Sequence, residues 1–269
     1  PELIQKYLRY CEGQRRLDSK TLKAYRIDLE QYCACFVDAN ISDITIPDIE
    51  NYVTEMHDIY KPKTVKRKIA SIKALYHYLE FQDLISVNPF NKIRIHFRTP
   101  QTLPKTIPLH TIQTLLSTMY REHRGAATPF RHKKTLRDIA TVEVLFSTGI
   151  RISELCSLKK SDVDLYDGSI LIFGKGAKER LIQIGSRDVL QLLIQYKQTF
   201  HREMEQTGRF FVNPDASPLS DQSVRRMLKK YCALSGIDLH ITPHMFRHTF
   251  ATSLLEADVD IRYIQEMLG

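Results

Sequence analysis

Apolar side chains in the first third of the chain recur three and four positions apart, which is the spacing of one helix face. Residues 18–38 show the pattern most fully, at Leu22, Tyr25, Leu29, Tyr32 and Phe36. Residues 61–85 repeat it, residues 45–58 predict a shorter helix with a proline near its first turn, and apolar residues near the N-terminus predict a fourth. We therefore expect a small helical bundle over residues 1–97.

A proline-bearing segment, residues 98–108, interrupts these patterns with Pro100, Pro104 and Pro108. Proline removes a backbone donor and favours an extended chain. This segment is therefore predicted to be a linker between two domains.

The remaining residues, 109–269, mix helical and strand patterns. Two short β-branched runs in residues 168–185 are joined by a Gly- and Lys-rich turn, which predicts an antiparallel β-hairpin between helices. The basic stretch 120–137 contains Gly125 and Pro129, so we interpret it as a loop that either contacts DNA or is disordered. The expected fold class is mainly α, with a helical N-terminal bundle and a mixed α/β second domain that carries a small antiparallel hairpin or sheet.

Composition narrows the class of protein. The 269 residues suit two domains, and the net charge of +8 suggests either a polyanionic partner or a solvated basic surface. No apolar run is long enough to cross a bilayer, and no signal-peptide pattern is found. Five scattered cysteines predict a reduced, cytoplasmic protein with mostly buried thiols, without a disulfide framework or a zinc site. Because the chain begins with Pro1 rather than Met, we expect a trimmed fragment.

Two basic runs are candidate DNA-contacting surfaces. Between Lys61 and Lys73 there is no acidic residue, and the run lies at the start of a predicted helix, where backbone N–H groups suit phosphate oxygens. A second run lies in the predicted helix near residue 226. The alternative for both is a solvated helix face. The candidate contacts are Lys63, Lys66, Arg67, Lys68, Arg225, Arg226 and Lys229.

Four further residues carry candidate chemistry, and each has a plain structural alternative. Arg151 follows Gly149 and could simply form a salt bridge with Glu154. Lys175 lies at the predicted hairpin tip, where lysines are usually solvated, and no G-K-[ST] sequence makes it part of a phosphate-binding loop. His244 and Arg247 share one helix face at i, i+3 spacing, although a histidine at a helix start is often a cap. The surrounding sequence is not H-E-x-x-H, so no metal site is expected.

The order of four segments resembles the tyrosine recombinases, the phage-integrase superfamily, and in layout their Xer branch. The segments are "TGIRISEL", "GKGAKER", "HMFRHTFAT" and "IQEMLG". The resemblance implies a SAM-like core-binding domain over residues 1–97, a linker over 98–108 and a catalytic domain over 109–269. It implies the catalytic residues Arg151, Lys175, His244 and Arg247.

The resemblance also implies an activity: cutting and rejoining DNA strands at a specific site through a 3′-phosphotyrosyl intermediate, without a metal, ATP or any cofactor. The implied partners are a double-stranded recombination site and a homo-tetramer on two such sites, with no membrane. The two domains are expected to close as a clamp around the duplex. The implied location is cytoplasmic, at a bacterial or archaeal nucleoid.

The family places its nucleophilic tyrosine, and a last histidine or tryptophan, shortly after the "LG" that this chain reaches at Gly269. We therefore expect the sequence as given to lack its C-terminal tail and to be inactive. Two rival functions remain open at this point. One is a type IB topoisomerase-like strand transferase, and the other is a DNA-binding fragment or accessory protein without catalysis.

Overall fold

In the computed structural model, the residues described are 2–37, 39–93, 105–174 and 179–269. The chain divides into two compact units, Pro1–Thr102 and Leu103–Gly269. Each has its own apolar core. Over the described residues, no helix combines the length and apolarity that crossing a membrane requires.

The described part of the first unit contains four α-helices, as predicted. They are α1 (Glu2–Gly13), α2 (Ser19–Cys35), α3 (Ile46–Ile59) and α4 (Pro62–Phe81). Asp18 caps α2 by accepting a hydrogen bond from the Thr21 N–H at 2.9 Å. Their apolar faces meet in a core rich in tyrosine, in which the hydroxyls of Tyr32 and Tyr76 lie 2.8 Å apart and join α2 to α4.

The second unit is helical around one small sheet. Its described helices are α5 (Leu109–Arg124), α6 (Pro129–Thr148), α7 (Ile152–Ser157), α8 (Arg187–Thr199), α9 (His201–Thr207), α10 (Asp221–Leu234), α11 (Pro243–Glu256) and α12 (Ile261–Leu268). The most buried of them is α6, which lines the core over most of its length. The mainly α fold class is thus confirmed.

The sheet of the second unit has the strand order β1-β2-β3 over its described residues, all antiparallel. The strands β2 (Ser169–Phe173) and β3 (Glu179–Gln183) form the predicted hairpin, with Phe173 opposite Glu179. The edge strand β1 (Val163–Asp164) was not predicted, because two residues are too few to show alternation.

The basic stretch 120–137 is mostly helical, so its interpretation as a loop was wrong. Helix α5 continues to Arg124 and α6 begins at Pro129, leaving only residues 125–128 between them. Pro129 can begin the helix because backbone N–H groups in the first turn have no intrahelical acceptor, so the N–H that proline lacks is not needed there. Thr128 caps that turn by accepting from the Arg131 N–H at 3.2 Å.

Two smaller expectations also change. All five cysteines lie within the described residues and none of them is in a disulfide. Two of them, Cys11 and Cys232, are buried, so the thiols are not mostly buried. Residues 98–104 of the predicted linker lie outside the described residues. Its last part belongs to the second unit: Ile107 is buried, and its N–H donates to Thr249 Oγ1 at 2.8 Å.

Candidate active site

Arg151 stands at the point where α6 ends and α7 begins. Gly149 closes α6 in the left-handed conformation, with φ at 61°, and Arg151 becomes the N-cap residue of α7. Glu154, one turn later, accepts from the Arg151 backbone N–H at 3.0 Å and from Arg151 Nη1 at 2.8 Å. The salt bridge proposed as the plain alternative is therefore present. It still leaves the Arg151 side chain 37% exposed, with Nη2 turned away from Glu154.

Arg247 lies on α11, and its side chain extends to the junction of α6 and α7, next to Arg151. Its Nη1 donates to the Gly149 carbonyl at 3.1 Å, and its Nη2 donates to the Leu268 carbonyl at 2.6 Å. The same Leu268 carbonyl lies 3.5 Å from Arg151 Nη1. Two guanidiniums thus converge on one oxygen, an arrangement that suits an anion with several oxygens.

Arg151, Arg247 and Glu154 form a charged cluster, here called the arginine cluster, in a partly buried part of the second unit. Burial, and then the charge of Arg151, lower the pKa of Arg247 to about 10, against the opposing effect of Glu154. Arg247 therefore stays protonated at neutral pH. Each added cation makes the next one less favourable, a cost that a bound anion would offset.

Arg180 is a third arginine of the cluster, and the sequence reasoning missed it. It lies on β3, where it donates from Nη1 and Nη2 to the two oxygens of Glu154 at 3.1 and 2.6 Å, and from Nε to the Met267 carbonyl at 2.9 Å. A signal was present in the sequence: strand alternation puts Arg180 on the same face as the buried Ile182. A charged residue on the buried face of a strand requires a partner.

Glu154 is the shared partner of this cluster. Burial raises the pKa of its carboxyl, but hydrogen bonds from Arg180 and Arg151 outweigh that effect and lower the pKa below its usual value. The carboxylate is therefore ionised at neutral pH and holds both guanidiniums in place.

His244 lies at the exposed start of α11, one turn before Arg247. Burial of part of the ring, followed by the charges of Arg225, His248, Arg247 and Arg151, lowers the pKa of His244. Thr242 is the N-cap residue, and no hydrogen bond from the His244 side chain to any described residue is present. The capping alternative is therefore not supported, and the ring is available to a ligand.

Lys175 lies outside the described residues, between the end of β2 and the start of β3. Within the described ranges, no group of three or more His, Cys, Asp or Glu side chains could hold a metal ion. The groups that converge here are cations, which suit a phosphate rather than a metal.

The basic run of α4 divides into exposed and buried members. Lys63 and Lys66 are exposed, and Arg67 is 47% exposed while it pairs with Asp28 of α2. Lys68 is only 3% exposed, so its expected role as a DNA contact does not agree with its position. Its ammonium donates to Gln31 and to Asp28, the latter at 3.3 Å, and its charge is used inside the bundle.

The second basic run occupies the exposed face of α10. Arg225, Arg226 and Lys229 are exposed, whereas Val224 and Leu228 lie in the core. The charge of Arg225 on this face contributes to the lowered pKa of His244.

Comparisons with known proteins show which family the chain belongs to. The model of the phage integrase family matches residues 106–269, and that of the phage integrase N-terminal SAM-like domain matches residues 4–82. The chain belongs to the phage integrase family. A tyrosine recombinase of Agathobacter rectalis is 61% identical over 99% of this chain and 87% of its own length. Tyrosine recombinase XerD of Listeria monocytogenes is 35% identical over 100% of this chain and 90% of its own.

Among solved structures, that of the XerH site-specific recombinase bound to difH substrate aligns with a TM-score of 0.75. The alignment covers 97% of this chain and 77% of that one, at 20% identity, and it supports the fold. With the curated relatives, it confirms the resemblance drawn from the four sequence segments. The protein is an enzyme of the tyrosine recombinase class.

Proposed function

We propose that this protein cuts and rejoins DNA at a specific site, with Arg151 and Arg247 holding the scissile phosphate. The observation that carries the proposal is the convergence of the two guanidiniums on one oxygen, the Leu268 carbonyl. Attack on a phosphodiester builds negative charge on its non-bridging oxygens, and preorganised donors stabilise that charge more than they stabilise the ground state.

The proton steps are assigned to Lys175 and His244. Attack by a tyrosine hydroxyl releases a phenolic proton, and departure of the 5′ oxygen requires one. We assign His244 to the attacking side or to a phosphate oxygen, because its lowered pKa keeps the ring neutral near pH 7. Lys175 is assigned to protonate the leaving oxygen. The attacking tyrosine, and the last histidine or tryptophan, are placed beyond Gly269.

A 3′-phosphotyrosyl link would retain the energy of the broken phosphodiester, so rejoining would need no ATP. Guanidiniums take the part that metal cations play in other phosphoryl-transfer enzymes, so we propose that the reaction needs no metal ion.

The DNA-contacting surfaces are assigned to the exposed members of both basic runs: Lys63, Lys66, Arg67, Arg225, Arg226 and Lys229. Lys68 is left out because it is buried. In this proposal residues 1–97 form the core-binding domain, 98–108 the linker and 109–269 the catalytic domain. The partners are a duplex recombination site and further copies of the chain, four on two sites, in the cytoplasm.

The test of this function is single-turnover cleavage of a nicked duplex that traps the covalent product. The duplex is first selected for tight binding from a random library, and the full-length protein is used. Arg151→Gln and Arg247→Gln should each slow cleavage by about 100-fold or more, which is the effect of losing one oxyanion donor in other enzymes. Duplex affinity should change far less. Wild-type binding without any cleavage would favour the rival function, a DNA-binding module without catalysis.

A further inference from the structure

Among the residues that the structure describes, the carboxylate of Glu154 accepts four hydrogen bonds, and they come from two arginines. Arg151 supplies its backbone N–H and Nη1, at 3.0 and 2.8 Å. Arg180 supplies Nη1 and Nη2, at 3.1 and 2.6 Å. Glu154 thus lies between an arginine that faces the site and an arginine that does not.

Arg180 makes the hydrogen bonds described for its side chain within the protein. Both Nη atoms donate to Glu154, and Nε donates to the Met267 carbonyl at 2.9 Å. Its side chain is 10% exposed, compared with 37% for that of Arg151. Arg180 therefore acts on a bound phosphate through other residues rather than by contact.

The charges of the cluster explain what such a buried arginine contributes. Arg151 and Glu154 alone would form a neutral pair, and the carboxylate beside Arg151 would repel a phosphate. With Arg180 the trio carries one net positive charge, and Arg247 adds a second. All three of these neighbours influence the pKa of Arg247, which places them within one electrostatic cluster.

We propose that Arg180 is a positioning residue for strand cleavage, which neutralises Glu154 so that the charge of Arg151 remains available to the scissile phosphate. This inference rests on the proposed function of Arg151 and Arg247. In this proposal Arg180, a residue of β3, supports the catalytic residues from outside the phosphate site. Glu154 then fixes the orientation of Arg151 without cancelling its charge.

The first experiment replaces Arg180 and follows single-turnover cleavage by the full-length protein. Arg180→Gln should slow the chemical step by about tenfold, less than the loss of a direct donor, because its effect is transmitted through Glu154. The duplex concentration for half-maximal rate should change by less than a factor of about two, since Arg180 does not touch DNA. Arg180→Lys keeps the charge, so it should retain more activity than Arg180→Gln.

The second experiment restores the charge instead of the contacts. In Glu154→Gln/Arg180→Gln, the carboxylate and its counter-charge are both removed, and the two arginines that face the phosphate keep a net charge of +2. The double variant should cleave at least about twofold faster than Arg180→Gln, because neighbours in one ion network depart from additivity by about this much or more. A double variant no faster than Arg180→Gln would overturn the proposal and leave Arg180 a structural residue.

Two further measurements separate the proposal from loss of fold and from failure of the parent function. In a carboxyl ¹³C titration, the pKa of Glu154 should rise in Arg180→Gln, because the strongest of its hydrogen-bond partners is gone. If Arg180→Gln does not fold, the cleavage rates of Arg180→Lys and of the double variant are compared with the wild-type rate instead. Lys160→Gln removes an ion pair with Glu205 on the exposed surface and should cleave at the wild-type rate.

If Arg151→Gln and Arg247→Gln abolish cleavage while Arg180→Gln cleaves at the wild-type rate, this inference fails and the proposed function stands. If Arg151→Gln and Arg247→Gln also cleave normally, the proposed function itself fails.

Discussion

Gly149 is the residue on which the meeting of the two arginines depends. Its φ of 61° lets α6 stop abruptly, and its carbonyl accepts from Arg247 Nη1 at 3.1 Å. A Cβ at this position would lie 2.5 Å from the Phe250 ring, so a larger residue meets both backbone strain and a side-chain clash. One glycine therefore fixes the separation between the start of α7 and the face of α11.

His244 permits a prediction at the scale of a single residue. Burial lowers the pKa of its ring, and the charge of Arg225 is the largest electrostatic contribution. In the DNA-free protein, His244 should therefore titrate below the value of 6.5 that is usual for histidine. Arg225→Gln should move its pKa upwards, towards that value. Histidine C–H chemical shifts followed by NMR across pH 5 to 8 would measure both.

The matched control for this titration is Arg262→Gln, which removes an exposed cation from α12 that is not among the causes of the His244 shift. It should leave the titration of His244 unchanged. An equal shift in Arg225→Gln and Arg262→Gln would show that general surface charge, and not the α10 face, controls this ring.

Single residues also show how far the sequence could lead. Arg151, His244 and Arg247 were named because their motifs occur in a recognisable order, although each alone had a plain alternative. Lys68 was misassigned even though Val65 and Ile72 lie three and four positions from it on the same helix face, which predicts burial. The run of basic residues around Lys68 suggested an exposed position, whereas the apolar periodicity indicates a buried one.

At the scale of elements, α4 presents a basic face while a polar cluster ties it to α2. Asp28 of α2 is fully buried and is met by Arg67, Lys68 and Ser71 of α4, the serine at 3.0 Å. Because Lys68 matches the charge of Asp28 inside the bundle, the half-exposed Arg67 adds a net positive charge at the surface.

This division predicts different outcomes for neighbouring lysines. Lys66→Gln on α4 and Arg226→Gln on α10 should each reduce the slope of log affinity against log salt by about 0.9, the value for one lost phosphate contact. Lys68→Gln should leave the slope unchanged but lower the free energy of unfolding by about 1–3 kcal/mol, because buried acceptors lose their donor. Anisotropy titrations and urea unfolding would measure these quantities. If the slope changed in Lys68→Gln but not in Lys66→Gln or Arg226→Gln, the assignment of the exposed residues as the DNA contacts would be contradicted.

Helix boundaries were predictable from the sequence where capping residues and apolar periodicity agreed. They were less predictable at a proline, which can either interrupt a helix or begin one. Gly149 follows the last turn of α6 and ends that helix, as glycine commonly does. Pro129 was read as a loop residue, but proline at the first turn begins a helix as readily as it interrupts one. The two-residue β1 and the seven-residue α9 were beyond prediction because neither is long enough to show a period.

At the scale of the whole molecule, two units with separate cores follow from the change of pattern after residue 97. The three converging arginines come from the start of α7, from β3 and from α11, which are far apart in sequence. Motif order could suggest that two of them meet. Only the packing of α11 against α6, and of α12 against β3, shows why the third joins them.

In the proposed mechanism, a tyrosine hydroxyl becomes linked to a 3′ phosphate held by Arg151 and Arg247, without a metal ion. The most direct measurement traps full-length protein on a nicked duplex in excess EDTA and identifies the linked residue by mass spectrometry. We expect a phosphotyrosine adduct from beyond residue 269, formed at the same rate with and without EDTA. An adduct that needs a divalent cation, joins the 5′ phosphate or forms on a residue other than tyrosine would contradict it.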